Sequence, residues 1–358
     1  MSPAPVIAIT GMNAKPDNPG PGMAVARCIK ESAELKAKII GLSYDVLDPG
    51  MYRSEYADAS YLIPYPSSGE DALCSRLEQI SALEKIDILI PCLDAELKTI
   101  ARIKPRLEAL GIKVLSPNEE QIDLRAKDNL PRLAQMAGIK TPAVTKITSA
   151  DFFHTCHKHG WGFPMVVKGV FYDAYIAHSP AEAVGAFHKI ALEWGYPILV
   201  QEFISGEEVN LTALGDGKGN MLGAVMMKKR AITDKGKAWA GISIADKRLE
   251  NAASKIVEAS NWQGALEVEV MVDKNNNYYL IEINPRFPAW IYLSRGVGRN
   301  LPELLVNLVL NEEYEDKTTT NYSDYKSGVL FIRYAEELIL DLEKFESMIM
   351  HGFTNNLS

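Results

Sequence analysis

The sequence lacks the motifs that mark several common classes of nucleotide-binding and hydrolytic enzymes. Its 358 residues contain no Walker A sequence, so this chain would not hold a nucleotide with a P-loop. They also contain no Gly-x-Ser-x-Gly element and no pattern of Ser, His and Asp typical of a serine hydrolase. An activity on nucleotides would therefore need another architecture.

Cysteine is scarce, and its spacing excludes a disulfide framework. The four cysteines are widely separated and show no CxxC spacing: Cys28, Cys74, Cys92 and Cys156. Three histidines lie close together in 152–161, FFHTCHKHGW, but no second ligand group follows at the spacing of a zinc site. We therefore expect buried thiols in a reducing compartment rather than disulfides or a zinc centre.

Long apolar runs and basic blocks are also absent. No stretch of about 18 apolar residues occurs, and the opening MSPAPVIAIT is not typical of a signal peptide. The formal net charge of −8 is not offset by a basic block that would bind a polyanion. We expect a cytoplasmic protein that binds neither membranes nor nucleic acids.

Residues 1–117 alternate between short apolar segments and helical segments, which indicates a parallel α/β sheet. The predicted strands are 5–10, 38–42, 86–91 and 113–116, and a helix is predicted at 23–33. The pair Gly20 and Gly22 follows the first strand, but no third glycine completes a dinucleotide-binding fingerprint. We therefore do not expect an NAD site.

Two acidic residues follow the third predicted strand of this region. Asp94 and Glu96 lie where open α/β sheets place ligand-binding groups, so they are candidates to face an amine or another polar substrate. A role for Asp94 in capping the following helix is an equal alternative.

Residues 264–286, GALEVEVMVDKNNNYYLIEINPR, predict a β-hairpin with a turn rich in Lys and Asn. When the turn is centred on its asparagines, Glu269 lies opposite Glu282. Glu267 then lies opposite Asn284, and all four polar side chains share one face because side chains alternate along a strand. The other face is apolar and suits a core; it carries Val268, Val270, Val272, Tyr279, Ile281 and Ile283.

Three carboxylates on one face would repel one another unless a cation lay among them. Oxygen ligands suit Mg²⁺ or Mn²⁺, and Mg²⁺ usually shares its coordination shell with substrate phosphates. Arg286, two residues beyond Asn284, is placed to contact such a phosphate. The hairpin therefore predicts a site for a metal ion and phosphate.

The segment EINPR (282–286) resembles the metal-binding end of the ATP-grasp superfamily. Within it the chain is most similar to the group that contains the large subunit of carbamoyl phosphate synthase. The resemblance implies that Glu269, Glu282 and Asn284 hold metal ions that bridge the phosphates of ATP. It also implies that Arg286 contacts the terminal phosphate or an acyl phosphate.

Two lysines match the ATP-binding lysines of that superfamily. Lys127 precedes a predicted helix that ends at Gly138, although Ala126 stands where the family usually has Asp. Lys168 ends the apolar segment GWGFPMVVK, and a lysine at a buried strand end needs an anionic partner. The resemblance implies that both lysines contact ATP phosphates. The glycine-rich loop that often follows in the family is missing after Gly169.

The segment 197–209, PILVQEFISGEEV, resembles the strand that binds the adenine edge in ATP-grasp enzymes. The resemblance implies that Glu202, Phe203 and Ile204 are adenine-site residues. It also implies that Glu208 accepts a hydrogen bond from a ribose hydroxyl.

A basic segment follows in GAVMMKKR and the loop after it. Lys228 and Arg230 would share one face of a regular strand, and Lys229 the other. Lys228 and Arg230 are candidates to neutralise the transferring phosphate or to bind a carboxylate. The alternative is a solvated charged loop.

The predicted fold class is α/β and α+β: an N-terminal parallel α/β domain (1–117) precedes an ATP-grasp fold with antiparallel sheets. The two subdomains of that fold are predicted at 118–205 and 206–358. The resemblance implies an ADP-forming carboxylate–amine ligase that uses ATP with Mg²⁺ or Mn²⁺ and forms an acyl phosphate. Its partners would be small carboxylates and amines, or a peptide, and a homodimer would be common in the family that it resembles. The alternatives are an enzyme that activates bicarbonate, as carbamoyl phosphate synthase does, and a non-catalytic ATP-binding module.

Overall fold

The computed structural model describes residues 4–170, 173–311, 322 and 324–356. The chain divides into two compact units. Unit 1 consists of Met1–Asp123, Asn210–Val268 and Ile283–Ser358. Unit 2 consists of Leu124–Val209 and Glu269–Glu282.

The N-terminal part of unit 1 supplies helices and four strands of a five-stranded sheet. Its elements in chain order are β1 (Val6–Ile9), α1 (Gly22–Lys30), β2 (Lys38–Ser43), β3 (Ala59–Leu62), α2 (Glu70–Glu84), β4 (Ile88–Ile90), α3 (Asp94–Ala109) and α4 (Glu119–Leu124). β1 pairs in parallel with β2 and β4, and β2 pairs in parallel with β3, so the predicted parallel sheet is confirmed. Alternate residues of β1 point to opposite faces: Ile7 and Ile9 enter one hydrophobic core, and Ala8 enters the other.

A close approach of the backbone explains one of the two glycines after β1. A Cβ atom on Gly22 would lie 2.0 Å from the carbonyl oxygen of Thr10, so only glycine fits there. This packing, which places α1 against the sheet, accounts for Gly22 without a dinucleotide.

The middle of the chain supplies most of unit 2. Its elements are α5 (Leu130–Met136), β5 (Val144–Ile147), α6 (Phe152–Thr155), β6 (Met165–Lys168), β7 (Ala174–Ala177), α7 (Pro180–Trp194) and β8 (Ile198–Glu202). The four strands form an antiparallel sheet in the order β5-β8-β6-β7. α7 packs on it over a core that includes Phe153 and Phe187.

The remaining elements complete the chain. They are β9 (Gly206–Asp216), β10 (Met221–Ile232), β11 (Ala238–Ile244), α8 (Lys247–Ser260), β12 (Gln263–Asp273), β13 (Tyr278–Asn284), α9 (Tyr292–Gly296), α10 (Leu301–Leu310), β14 (Leu330–Ile332), α11 (Leu342–His351) and β15 (Phe353–Asn355). The six-stranded sheet has the order β13-β12-β9-β10-β11-β14. β9, β12 and β13 each have residues in both units.

Two features of the first sheet differ from the expectation. Residues 113–116 do not form a strand, because Lys113 makes only an isolated bridge with Ile88. β3 and β15 were not expected, and β15 pairs with β3 in antiparallel orientation. The sheet is therefore mixed, with a C-terminal strand at one edge.

The predicted ranges 1–117, 118–205 and 206–358 do not coincide with the two units. Residues from the first and last ranges share one core, in which Ile7 lies in the same cluster as Leu214 and Phe287. Residues 118–123 also belong to unit 1, where Gln121 Nε2 donates to the carbonyl oxygen of Ser260 at 3.3 Å. No described helix is long and apolar enough to cross a membrane.

Candidate active site

Unit 2 contains a pocket that combines two lysines with apolar walls. The pocket is shallow: about 300 Å³ of space lies between its walls when open solvent is counted, and the centre of a water molecule can occupy about 10 Å³ of it. The lining residues are Lys127, Leu130, Pro131, Thr141, Val144, Lys168, Leu199, Gln201 and Ile281. An apolar slot with two cations suits a ligand that has a flat apolar part and an anionic part, as a nucleotide has.

Lys168 lies at the end of β6 with 8% of its surface exposed. Its Nζ lies 2.7 Å from Oε1 of Gln201, a neutral acceptor on β8. Burial lowers the pKa of Lys168 to about 8 from 10.5, and the like charge of Lys127 acts in the same direction. The site therefore disfavours the ammonium form until an anion compensates its charge.

Three carboxylates of unit 2 attract the Lys168 ammonium and oppose this effect. They are Glu282, Glu269 and Glu208. All three were predicted from the sequence as site residues, and in the structure they interact electrostatically with Lys168, which was predicted as well. Their predicted roles, metal binding for Glu269 and Glu282 and ribose binding for Glu208, remain predictions.

Lys127 reaches the same pocket from the segment before α5. Its Nζ lies 3.4 Å from the carbonyl oxygen of Gly169, directly after β6. The two lysines predicted from separate motifs thus line one pocket. Of the loop after Gly169, Phe171 and Tyr172 lie outside the described residues.

The predicted adenine-binding segment lies at the end of β8. The backbone N–H of Glu202 donates to the carbonyl oxygen of Ala143 at 2.9 Å, and Oε2 of Glu202 accepts from the N–H of Ala143 at 3.1 Å. Phe203 and Ile204 are half-buried and lie between β8 and β9. Because the N–H of Glu202 already donates a hydrogen bond to Ala143, an adenine would have to form its hydrogen bonds with other backbone groups of this segment.

Seven of the nine residues that line the pocket were not predicted from the sequence, since only Lys127 and Lys168 were. Leu199 and Gln201 lie at alternate positions of β8, before Glu202. Because side chains alternate along a strand, this spacing could have predicted that both residues face the pocket. Ile281 was assigned to the core face of the hairpin and instead lines the pocket.

The hairpin forms as expected from β12 and β13 with a turn at 273–277. The N–H of Asp273 donates to the carbonyl oxygen of Asn277 at 3.0 Å, and Oδ1 of Asp273 accepts from the N–H groups of Asn275 and Asn277. The side chains of Glu267 and Asn284 are in contact, as the predicted pairing requires. Gly264, near the start of β12, has φ +81°, and a Cβ atom there would lie 2.5 Å from the carbonyl oxygen of Leu115. The start of this strand therefore requires glycine.

Glu267 shares the predicted polar face with Glu269 and Glu282 but is not one of the predicted metal ligands. No group of three or more His, Cys, Asp or Glu side chains suited to a metal ion occurs among the described residues. Glu267 is buried, and its carboxylate accepts hydrogen bonds from Trp290, Asn210 and Asn284. Three donors from the protein therefore surround this carboxylate.

Arg286 lies in unit 1 within a set of acidic and carbonyl oxygens. Its Nε lies 2.9 Å from Oδ2 of Asp94, and its Nη1 lies 3.7 Å from Oε2 of Glu267. Nη2 lies 3.3 Å from Oδ1 of Asn284. The predicted contact between Arg286 and a phosphate remains a prediction.

Glu96 has a structural role rather than the substrate-binding role that was considered for it. It is fully buried and accepts hydrogen bonds from Thr10, Tyr44 and the N–H groups of Cys92 and Leu93. Burial raises the pKa of its carboxyl group. These contacts tie the start of α3 to the ends of β1 and β2, so Glu96 rather than Asp94 caps this helix.

The basic segment of β10 departs from a regular strand. The register between β10 and β11 shifts between Lys229 and Ala231, which places Arg230 at a β-bulge. The regular alternation on which Lys228 and Arg230 were expected to share one face is therefore interrupted at Arg230, and their roles remain predictions. Lys228 is half-buried and Arg230 is exposed.

The chain matches a family model described as ATP-grasp in the biosynthetic pathway with Ter operon, over residues 196–327. It is 21% identical to a carbamoyl phosphate synthase large chain of Agathobacter rectalis over 281 residues, which cover 74% of this chain and 25% of that one. It is 25% identical to a tyramine–L-glutamate ligase of Methanocaldococcus jannaschii over 287 residues, with 78% and 80% covered. The chain thus spans about a quarter of the length of the carbamoyl phosphate synthase relative.

Two solved structures share the fold. A biotin carboxylase of Campylobacter jejuni has a TM-score of 0.68 at 20% identity and covers 91% of this chain and 74% of its own. An L-amino acid ligase of Bacillus licheniformis has a TM-score of 0.66 at 18% identity, with 88% and 78% covered. The fold is that of the ATP-grasp enzymes, as the sequence predicted. Part of the chain therefore matches an ATP-grasp family model, and the chain as a whole is similar to enzymes that include a carbamoyl phosphate synthase large chain and a tyramine–L-glutamate ligase.

Proposed function

We propose that the protein is an ATP-dependent, ADP-forming carboxylate–amine ligase. The observation that carries this proposal is the pocket of unit 2, where Lys127 and Lys168 meet apolar walls and Glu269 and Glu282 attract Lys168. The relationship to tyramine–L-glutamate ligase and to L-amino acid ligase supports the formation of an amide bond.

The residues of the pocket have distinct proposed roles. Leu199 and Ile281 would contact the adenine together with Glu202, Phe203 and Ile204 of the β8 segment, and Glu208 would accept from the ribose. Lys127 and Lys168 would bind the phosphates, and Lys168 would become fully protonated as the anion replaces water around it. These roles follow from an apolar slot that ends in two cations.

Mg²⁺ or Mn²⁺ fits the oxygen donors of the hairpin. Glu269 and Glu282 supply carboxylates, and Asn284 supplies the amide oxygen Oδ1, because its Nδ2 donates to Glu267. When bound, the metal would neutralise phosphate charge during phosphoryl transfer. Arg286, Lys228 and Arg230 are the proposed cations for the transferring phosphate or the substrate carboxylate.

The proposed reaction has two steps. A substrate carboxylate attacks the γ-phosphorus of ATP, which gives an acyl phosphate and releases ADP. An amine then attacks the acyl carbon and displaces phosphate, which forms the amide bond. The protein would orient the reactants and exclude water from the acyl phosphate, so no covalent nucleophile is needed.

The substrates we propose are small carboxylates and amines, or a peptide, and the proposed location is the cytoplasm. All four cysteines are buried thiols, which suits a reducing compartment. The relationship to carbamoyl phosphate synthases favours a second candidate, in which bicarbonate accepts the phosphoryl group.

Product analysis distinguishes these functions. Purified protein would be incubated with Mg-ATP and pools of amino acids, carboxylates, amines and bicarbonate, and nucleotides would be measured by mass spectrometry. ADP that forms only with particular acid–amine pairs supports the ligase. ADP that forms with bicarbonate alone supports the second candidate, and binding of ATP without turnover under all conditions contradicts both.

A further inference from the structure

Glu267 is a buried carboxylate whose two oxygens are both occupied by donors of unit 1. Oε1 accepts from Nε1 of Trp290 at 2.6 Å and from Nδ2 of Asn210 at 3.1 Å. Oε2 accepts from Nδ2 of Asn284 at 2.9 Å. Only 4% of the surface of Glu267 is exposed, so this set of donors is fixed within the protein.

These contacts determine which end of the Asn284 amide faces Glu267. Nδ2 donates to Glu267, while Oδ1 lies 3.3 Å from Nη2 of Arg286. A rotation of the amide by half a turn would place its oxygen against the carboxylate and its N–H₂ group against the guanidinium. Both contacts would be repulsive, so Glu267 and Arg286 together hold one orientation.

The orientation matters because only the oxygen of an amide can bind a hard cation. We propose that Glu267 is a positioning residue: it holds the Asn284 amide so that Oδ1 is presented to the divalent metal ion. Groups that orient the ligands of a metal ion commonly act in this way. This inference rests on the proposed function, because it takes Asn284 to be a metal ligand.

The first test is Glu267→Gln, with Mn²⁺ affinity measured by electron paramagnetic resonance in the presence of a non-hydrolysable ATP analogue. The glutamine amide would place a donor against Asn284 or against Trp290 and Asn210. We expect the Mn²⁺ affinity to fall about 10–100-fold. Unchanged affinity in a folded Glu267→Gln variant would overturn the positioning role.

The second test is the double variant Glu267→Gln/Asn284→Asp. It exchanges the carboxylate at 267 and the amide at 284. The glutamine at 267 can accept from Trp290 and Asn210 and donate to the aspartate at 284, whose second oxygen stays available. The net charge is unchanged. We expect the double variant to bind Mn²⁺ at least about tenfold more tightly than Glu267→Gln, since the ligand orientation is restored.

Asn284→Asp alone separates this rescue from the effect of an added carboxylate. It places two carboxylates side by side at 267 and 284, so we expect weaker Mn²⁺ binding than in the double variant. Equal binding by Asn284→Asp and the double variant would overturn the proposal. So would a double variant that fails to fold, because the exchanged pair would then not replace the native one.

Trp290→Phe is the matched control. It removes one donor to Oε1 of Glu267 but leaves the contact between Oε2 and Asn284. We expect lower thermal stability and Mn²⁺ affinity within about twofold of the wild type. A loss of affinity as large as that of Glu267→Gln would indicate a merely structural network and would contradict the positioning role.

The wild-type measurement separates the two proposals. If wild-type protein with the nucleotide analogue binds no Mn²⁺, the proposed function fails together with the inference. If the wild type binds Mn²⁺ and Glu267→Gln binds it equally well, only the role of Glu267 is overturned.

Discussion

Arg286 and Asp94 form an ion pair in unit 1, with Nε of the arginine 2.9 Å from Oδ2 of the aspartate. Asp94 begins α3 directly after β4, and Arg286 follows β13. The side chains retain 12% and 30% of their exposure, so solvent screens the pair only in part. The pair fixes one edge of the guanidinium that we propose to contact phosphate.

Asp94→Asn should therefore destabilise unit 1. Asparagine keeps the shape of the side chain but removes the charge that makes this hydrogen bond strong. We expect the free energy of unfolding in urea to fall by about 1.5–3 kcal/mol, the usual range for a hydrogen bond to a charged group. Salt should reduce the difference between variant and wild type, because it screens the pair.

The control for this measurement is Asp71→Asn. Asp71 pairs with Arg106 at 2.7 Å, but both side chains are exposed, to 93% and 49%. Surface pairs of this kind contribute little, so no measurable change is expected. A loss in the Asp71 variant as large as that in the Asp94 variant would contradict the importance assigned to the pair with Arg286.

Replacing Lys168 should increase stability while removing a phosphate-binding group. A pKa of about 8 in the folded protein and 10.5 in the unfolded chain corresponds to roughly 3 kcal/mol below pH 8. Lys168→Met avoids that cost but leaves Gln201 without its 2.7 Å contact. We expect a net gain of about 1–2 kcal/mol at pH 7.

The gain should depend on pH, because burial lowers the pKa of Lys168 in the folded protein only. Between pH 8 and 10.5 the unfolded wild-type chain binds more protons at Lys168 than the folded protein, so wild-type stability rises relative to the variant. The gain should thus be largest below pH 8, fall between pH 8 and 10.5, and become a loss of about 1–2 kcal/mol above pH 10.5 in urea unfolding curves, because only the lost contact with Gln201 then remains. Lys146→Met, which removes a half-exposed lysine of the same unit, is the control.

Local patterns predicted the parts of the site that lie on regular strands. The alternation of side chains placed Glu267 against Asn284, and the apolar segment before Lys168 indicated a buried lysine. Both features depend on residues that are near in sequence or paired across one short turn.

Contacts between distant segments were not predictable in the same way. The partner of Arg286 is Asp94, and Asn210 reaches Glu267 from β9, so neither pairing has a local sequence signal. The bulge at Arg230 and the short edge strand β15 also depend on the neighbouring strand. Such features arise from packing between distant segments, which a single sequence does not display.

Glu282→Gln should abolish turnover and leave the fold intact. The amide cannot supply the carboxylate that we propose for the metal ion, and it also removes an attraction that supports the Lys168 ammonium. We expect ADP release to fall at least about a thousandfold, with an unchanged near-ultraviolet circular dichroism spectrum. Glu258→Gln, on the exposed face of α8, is the control. Near-normal turnover in the Glu282 variant would exclude the proposed metal site.

Binding of nucleotide should make the protein take up a proton near pH 8. At that pH about half of the Lys168 side chains are neutral, and a phosphate in the pocket would favour the ammonium form. Isothermal titration calorimetry of the ATP analogue in buffers with different ionisation enthalpies measures the uptake. We expect about half a proton per nucleotide at pH 8 and close to none at pH 6.5. Lys168→Met should abolish the uptake even if it still binds nucleotide weakly. Equal uptake in wild type and variant would show that another group titrates and that phosphate does not reach Lys168.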